Sequence, residues 1–401
     1  MLLQQFDISK KGFLPDTCVT QLPPNQSFYQ EVLDNLSETV SSGPKFRQMV
    51  DRLPEYNEQT YDVNQLSISE KKFMYSFLSM VCHRYIWCNG PKNAIDRLPA
   101  EIGLPWWQIS KDLGLATVLT HAAVDLYNWH LIDPNEEFSL DNIWTNMTMT
   151  GTESESWFYL VMIAIEGIGG SLLESIINLP NDLQSKSNTS IANFLSHFHS
   201  ILTQLTKIIK RMYEKCQQDV FFNQIRIYLA GSQNDYLPNG LTIQGLNNQV
   251  LRYAGGSAAQ SSLIQVYDAV LGIHHNGHSS QFLNGQKMYM PEKHREYLHT
   301  VQNQESLRDY ILNSNDFQLI THYNQCVNQL MRFRQAHLGL ISSFIMKFVK
   351  SQTQTTQETN AHGSKGSGGT NPIEFLNEVI QTNKSYLITY TDSPLTSGKQ
   401  I

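Results

Sequence analysis

Cysteine is scarce in this chain: five residues, Cys18, Cys82, Cys88, Cys216 and Cys326, among 401. They are scattered and odd in number, and no two stand at Cys-x-x-Cys spacing. This argues against a disulfide framework or a cysteine-built zinc site and fits reduced thiols in a cytoplasm. Charge is also thin, at 16% of residues with a net charge of −7 and a pI near 6.0. A nucleic-acid partner needs a basic face to neutralise phosphate, so none is expected. No apolar run reaches membrane-spanning length. The longest, Trp157 to Ile165, is stopped by Glu166, and no membrane partner is expected. The opening Met-Leu-Leu-Gln-Gln-Phe-Asp lacks the charged and apolar regions of a signal peptide. Gly-x-Ser-x-Gly, His-Glu-x-x-His and paired-carboxylate motifs are absent as well, so no nucleophile or metalloprotease arrangement stands out.

What is present is apolar and helical in pattern. Apolar residues make up 41% of the chain, enough for a large core. Residues 1–65 read as irregular, with one or two helices. Phe73, Phe77, Met80 and Val81 repeat at helical spacing within 68–88. A second helix is expected over Trp107–Trp129, and 133–152 reads as a polar connector. Further helices are expected at 155–178, 188–216, 219–230, 256–273, 304–313 and 316–350, with a short one at Pro372–Gln381. Period-two alternation is hard to find. The expected fold is all-α: a small N-terminal part, 1–148, and a large helical part, 149–401. Ser351–Thr370 is rich in Ser, Thr, Gln and Gly, cannot pack a core, and reads as a mobile loop or lid.

His337 is the most informative residue. As a helix, its segment places Leu330, Phe333, Leu340, Ile341 and Phe344 on the face that carries the imidazole. A histidine in an apolar stripe satisfies its ring nitrogens with hydrogen bonds or gives one to a metal. Most such histidines are core residues. Arg334, one turn earlier, favours an oriented ring and with it a ligand role, haem iron included.

Three other clusters compete. His274-His275-Asn276-Gly277-His278 is His-rich but lacks partners at a metal-binding spacing, so it reads as a solvated loop. Tyr253-Ala254-Gly255-Gly256-Ser257-Ala258 lacks a preceding strand and a Walker lysine, which excludes a nucleotide loop. Its small residues allow a bulky flat partner, or another helix, to come close. Arg226 is the only cation in the apolar run Phe221–Leu229. It is either paired internally or a bidentate clamp for a carboxylate.

Taken together, Phe221-Phe222 with Arg226-Ile227-Tyr228-Leu229, Ala254–Ala258 with Gln260-Ser261-Ser262, Tyr289-Met290-Pro291, Arg334, His337 and Gly366–Thr370 occur in this order. With them the chain resembles the indoleamine 2,3-dioxygenase family over most of its length, including Leu104-Pro105 and Asn128-Trp129. The resemblance implies an all-α fold of small and large domains with haem b between them. It implies His337 as the iron ligand, with Arg334 and Asp268 supporting that side. Gly256, Ser257 and Ala258 would run beside the haem face away from His337. Phe158, Phe221, Arg226, Leu229 and Thr370 would bind the substrate, with Arg226 on its carboxylate and Thr370 arriving with the closing loop. O₂ would be added across the indole C2–C3 bond of tryptophan to give N-formylkynurenine. The partners implied are an indole substrate, O₂ and an electron donor that keeps iron ferrous, acting on a monomer.

Two positions depart from the family pattern. Met162 stands where a distal serine is usual, and His121 where a distal tyrosine is usual. Met162 is larger and donates no hydrogen bond. His121 can donate and accept, and is expected to take a polar role in the substrate pocket. These changes keep two alternatives open: a myoglobin-like O₂ binder, or a haem enzyme acting on a related indole. A carboxylate clamp at Arg226 favours an enzyme, because an oxygen carrier needs none.

Overall fold

The computed structural model describes residues 3–37, 43–247, 249–350 and 370–389. The expected loop 351–370 therefore lies outside the described residues except at Thr370. Helices dominate, and the strands are confined to two short pairs. Arg97–Leu98 runs parallel to Thr242–Ile243, and Trp129–Leu131 runs antiparallel to Ile143–Thr145. The all-α expectation holds.

The Ile68–Trp87 helix begins at a capping box, in which Ser67 and Glu70 satisfy each other's backbone N–H groups. From Phe73 onward every residue of it is buried, as befits a helix packed on all sides. Within it, His83 pins two remote segments. Its Nε2 accepts from the Leu119 N–H at 3.0 Å, so Nδ1 carries the proton and donates to the Tyr228 carbonyl at 2.8 Å. Burial holds this imidazole neutral, with its pKa pushed down to about 4.

The second helix differs from expectation. It spans Ala100–Asp112 and stops before Gly114, whose φ is +63°. Pro105 lies inside it rather than before it. A proline leaves the carbonyl four residues back without its helical donor. Here the Tyr29 hydroxyl donates to that carbonyl, on Glu101. Residues expected to continue the helix instead form a π-helical turn at Ala122–Leu126 and then the strand at Trp129.

Of the expected connector 133–152, residues 133–137 are exposed, but its second half is built into the core. Thr145, Met147, Thr148, Met149 and Thr150 are buried. The backbone N–H groups of Met149 and Thr150 donate to the buried Glu155 carboxylate at 2.9 and 2.6 Å. One contiguous apolar core extends from Phe6 to Ile388, so residues 1–148 and the larger part share an interior.

Glu153–Gly170 is helical, and Glu166 does not stop it. The stretch Glu153–Gln184 is in fact long and apolar enough to cross a membrane, which corrects the reading from sequence. Of its most apolar window 72% is buried inside the protein, as in a core helix. The Phe317–Ile341 helix, capped by Asp316, carries His337 and packs along Asn188–Lys210 and Pro372–Ser385. Expected helices at 219–230 and 256–273 are shorter and irregular. The first is a π-turn at Phe221–Ile225 followed by a 3₁₀ turn, and the second is regular only over Ser262–Val270. Two helices, Gly277–Gln286 and Glu292–Gln302, were not anticipated.

Candidate active site

One cavity gathers the site residues that the family resemblance implies, with His121 and Met162. His121, Phe158, Met162, Phe221, Arg226, Leu229, Gly256, Ser257, Ala258, Asp268, Arg334, His337 and Thr370 all line it. The three π-helical turns of the described residues, Ala122–Leu126, Phe221–Ile225 and Ser342–Met346, each supply part of its wall through Val124, Phe221 and Phe344. Such turns re-aim side chains that a regular helix would hold one register away.

His337 is the least committed polar group there. Among the described residues its ring makes no hydrogen bond, and its accessible surface faces the cavity. Burial, with the Arg334 charge beside it, pushes the imidazole down to about 4, so it stays neutral. Arg334 is held on two sides: Nη2 donates to Asp268 Oδ2 at 2.6 Å and Nη1 to Asn383 Oδ1 at 2.5 Å. Burial alone would raise the Asp268 carboxyl, but Arg334 and His275 outweigh it and hold it below the ordinary range.

His275 corrects the expectation of a solvated loop. Its side chain is 6% exposed, and its Nε2 lies 3.1 Å from Asp268 Oδ2. Asp268 holds that loop down, while His274 and His278 are exposed. No cluster of three or more His, Cys, Asp or Glu suited to a metal occurs among the described residues. A metal at His337 would therefore have to bring its remaining ligands with it, as iron in a porphyrin does.

Gly255 explains the small-residue segment. A Cβ there would lie 2.0 Å from the Leu229 carbonyl oxygen, so the glycine is required by backbone-to-backbone packing. The next residues, Gly256 to Ala258, run along the cavity. The aromatic wall is continuous: ring centroids of Phe158 and Phe221 lie 4.9 Å apart, and those of Phe221 and Phe344 5.7 Å. Arg226, one turn beyond Phe221, lies with its guanidinium carbon 5.4 Å from the Phe222 ring centroid. Burial lowers the Arg226 pKa from its usual value, with Tyr236 opposing.

His121 is placed at the cavity, but its ring nitrogens are already used. Nδ1 lies 2.7 Å from Asp125 Oδ2, and Nε2 lies 3.0 Å from Glu166 Oε1. Ser261 donates to that same Glu166 oxygen at 2.5 Å. Burial disfavours a charged imidazole, yet the two carboxylates prevail and raise its pKa to about 10. With both ring nitrogens engaged by carboxylates, it has no free N–H for a substrate among the described residues. Asp125 and Glu166 were missed as site residues. Asp125 stands four residues after His121, and Glu166 interrupts an apolar run, a signal of the same kind that singled out His337.

A helical shell around an apolar cavity, with an imidazole on its wall that makes no hydrogen bond among the described residues, defines the class: a helical protein with a largely apolar internal site. Comparison with known proteins narrows it. The family model for indoleamine 2,3-dioxygenase matches residues 2–385, and the chain belongs to that family. It is 28% identical to human indoleamine 2,3-dioxygenase 2, over 94% of this chain and 93% of that protein. It is 30% identical to indoleamine 2,3-dioxygenase of Saccharomyces cerevisiae, over 93% of this chain and 84% of that one. It is also 30% identical to a 6-hydroxytryptophan 2,3-dioxygenase of Fusarium equiseti, over 92% and 95%.

Proposed function

We propose that this protein is a haem-dependent dioxygenase that opens the indole ring of L-tryptophan or a related indoleamine to an N-formylkynurenine-type product. The observation that carries the reading is His337, a neutral imidazole with no hydrogen bond among the described residues, on the wall of an apolar cavity. The donor set fits haem b: one free imidazole, the Gly256–Ala258 backbone along the cavity, and apolar side chains for most of the remaining wall. When bound, haem b supplies an iron centre at which O₂ is activated for addition across the indole C2–C3 bond.

The chain's own residues bind and orient. His337 holds the iron, and the Arg334–Asp268 pair fixes the helix face from which it projects. Phe158 and Phe221 pack against the indole and exclude water. Arg226, partly desolvated, takes the substrate carboxylate, where a charge-assisted bidentate contact gains from the apolar surroundings. Thr370, which lines the cavity, meets the amino-acid end of the substrate. Bringing the reactants together in one orientation is the protein's main share of catalysis. The division into parts 1–148 and 149–401, a monomeric state, a separate reductant and a cytoplasmic location belong to the same proposal.

The test is an anaerobic ferrous spectrum of the purified protein, followed by addition of O₂ and L-tryptophan. Growth of the N-formylkynurenine absorbance is expected. A stable oxygenated spectrum with no product from any indole would remove the enzyme reading in favour of oxygen binding.

A further inference from the structure

Asp268 belongs to two cavities. With Gln265 and Leu283 it lines the site described above, and the same three residues line a second, polar cavity. The rest of that lining comes from the 272–275 loop, the Gly277–Gln286 helix with Lys287 just beyond it, and residues 301–307. Ser280, Asn284 and Lys287 stand at intervals of four and three, so one helical face meets the cavity. Gln302, Gln304 and Ser306 border it from the segment that joins the Glu292–Gln302 and Leu307–Ser314 helices.

Lys287 is the only lysine or arginine among the described residues that line this cavity. Its ammonium makes no hydrogen bond or ion pair among the described residues, and it is not one of the protein's inaccessible polar atoms. Partial burial of the side chain pushes its pKa below the ordinary value. The other titratable groups at the cavity do not compensate it. Asp268 is engaged by Arg334 and His275. Glu305 is exposed and forms no ion pair among the described residues, so water screens it. His274 is exposed, and His275 is held by Asp268. A partly desolvated ammonium gains from a counter-ion that replaces the lost water. Neutral donors accompany it. The Ser280 and Ser306 hydroxyls accept hydrogen bonds, from Asn284 and from the Asp309 N–H, but donate none among the described residues. The Gln302 amide is likewise without a partner there.

We propose that this second cavity is an effector site for a small oxyanion, a carboxylate or a phosphate, held by Lys287 with the Ser280, Ser306 and Gln302 donors, and that its occupancy is felt at His337 through Asp268. The site stands on residues that the dioxygenase reading does not use, and only its effect on the iron side rests on that reading. An oxyanion answers this donor set because its several oxygens accept one charge-assisted bond and further neutral ones at once. The route to His337 is short. Asp268 Oδ2 is shared by His275 and Arg334, so negative charge added at the same wall alters the balance between them, and Arg334 lies one turn before His337. Such a ligand changes the iron side to the extent that it binds the two arrangements of this pair unequally.

The test titrates the haem-loaded protein by calorimetry with inorganic phosphate and, separately, with acetate, at an ionic strength held constant with sodium chloride. The Soret band is recorded at each addition. One saturable site is expected for at least one of the two anions, and the anion that binds identifies the source. In Lys287→Met the affinity is expected to fall about tenfold, and in Lys287→Arg, which keeps the cation, to fall less. The Soret band is expected to shift along the same isotherm and to stay still in Lys287→Met. No saturable site for either anion would overturn the proposal, and that arm needs no variant to fold. Undiminished binding to a folded Lys287→Met, or displacement of the anion by L-tryptophan, would overturn the assignment to this cavity. A Soret band unmoved at saturation would overturn the link to His337. Tryptophan turnover without an anion site would sink this inference and leave the dioxygenase reading standing. An anion site in a protein that forms no product would do the reverse.

Discussion

Arg334 Nη2 lies 2.6 Å from Asp268 Oδ2, with both side chains 7% exposed, one helical turn before His337. The pair is closed by Asn383 on one side and His275 on the other. Removing one member of a buried pair strands the other charge, at a cost of roughly 3–5 kcal/mol. Arg334→Ala is therefore expected to lower the denaturant midpoint by that order and to weaken haem retention at His337. Chemical denaturation beside the Soret absorbance of the folded fraction measures both. An unchanged midpoint would mean that Asp268 is not ionised in the native protein.

His121 predicts the pH dependence. Its pKa is raised from 6.5 to about 10 because Asp125 and Glu166 outweigh the desolvation that opposes them. A group raised on folding stabilises fully below its unfolded pKa and loses that contribution as pH climbs through the folded value. Stability should therefore decline between about pH 6.5 and 10, and His121→Gln should flatten the decline. Denaturant midpoints across that range provide the check. A His121→Gln profile parallel to the unmodified one would show that the pair does not titrate in this window.

These two cases mark what was legible in the sequence. His337 was legible because one imidazole in an apolar stripe stands out at helical spacing, and Gly255 because small residues mark close backbone approach. The Arg334–Asp268 contact rested on family resemblance, since 66 residues separate the partners and no local pattern links them. The carboxylates beside His121 were missed although Glu166 was noticed. It was taken for the end of an apolar run, when a partner 45 residues away allows it to be buried. Pro105 misled in the same way: the Tyr29 hydroxyl rescues the carbonyl that proline leaves free, and only tertiary structure supplies it. The Gly277–Gln286 helix was invisible because its face is nearly all polar, with only Ser279 and Gln286 buried.

Met162 sits between Phe158 and Glu166 on the cavity face of its helix. Shortening it would open space beside the indole ring. Because the side chain borders a cavity rather than solid core, the loss for Met162→Ala should fall at or below the low end of the roughly 2–5 kcal/mol typical of buried methionine truncation. The expected gain is in substrate range. The ratio of kcat/KM for 1-methyl-L-tryptophan to that for L-tryptophan should rise several-fold. An unchanged ratio would place Met162 away from the substrate.

Arg226 is desolvated, stacked on Phe222 and present at the cavity. If it meets the substrate carboxylate, Arg226→Ala should lose a charge-assisted contact worth about 1.5–3 kcal/mol, or roughly 10- to 150-fold in kcat/KM. Most of the loss should appear in KM, because the carboxylate is held equally in the ground and transition states. Haem content should be unaffected, since Arg226 is remote in sequence from the His337 helix and its loss leaves the imidazole in place. Arg226→Lys should recover only part of the loss, because a single ammonium cannot reproduce the planar fork. Indole-3-ethanamine, which lacks the carboxylate, supplies the control: its turnover should be insensitive to Arg226→Ala. If both substrates suffer equally, the arginine acts on the shape of the pocket and not on the carboxylate.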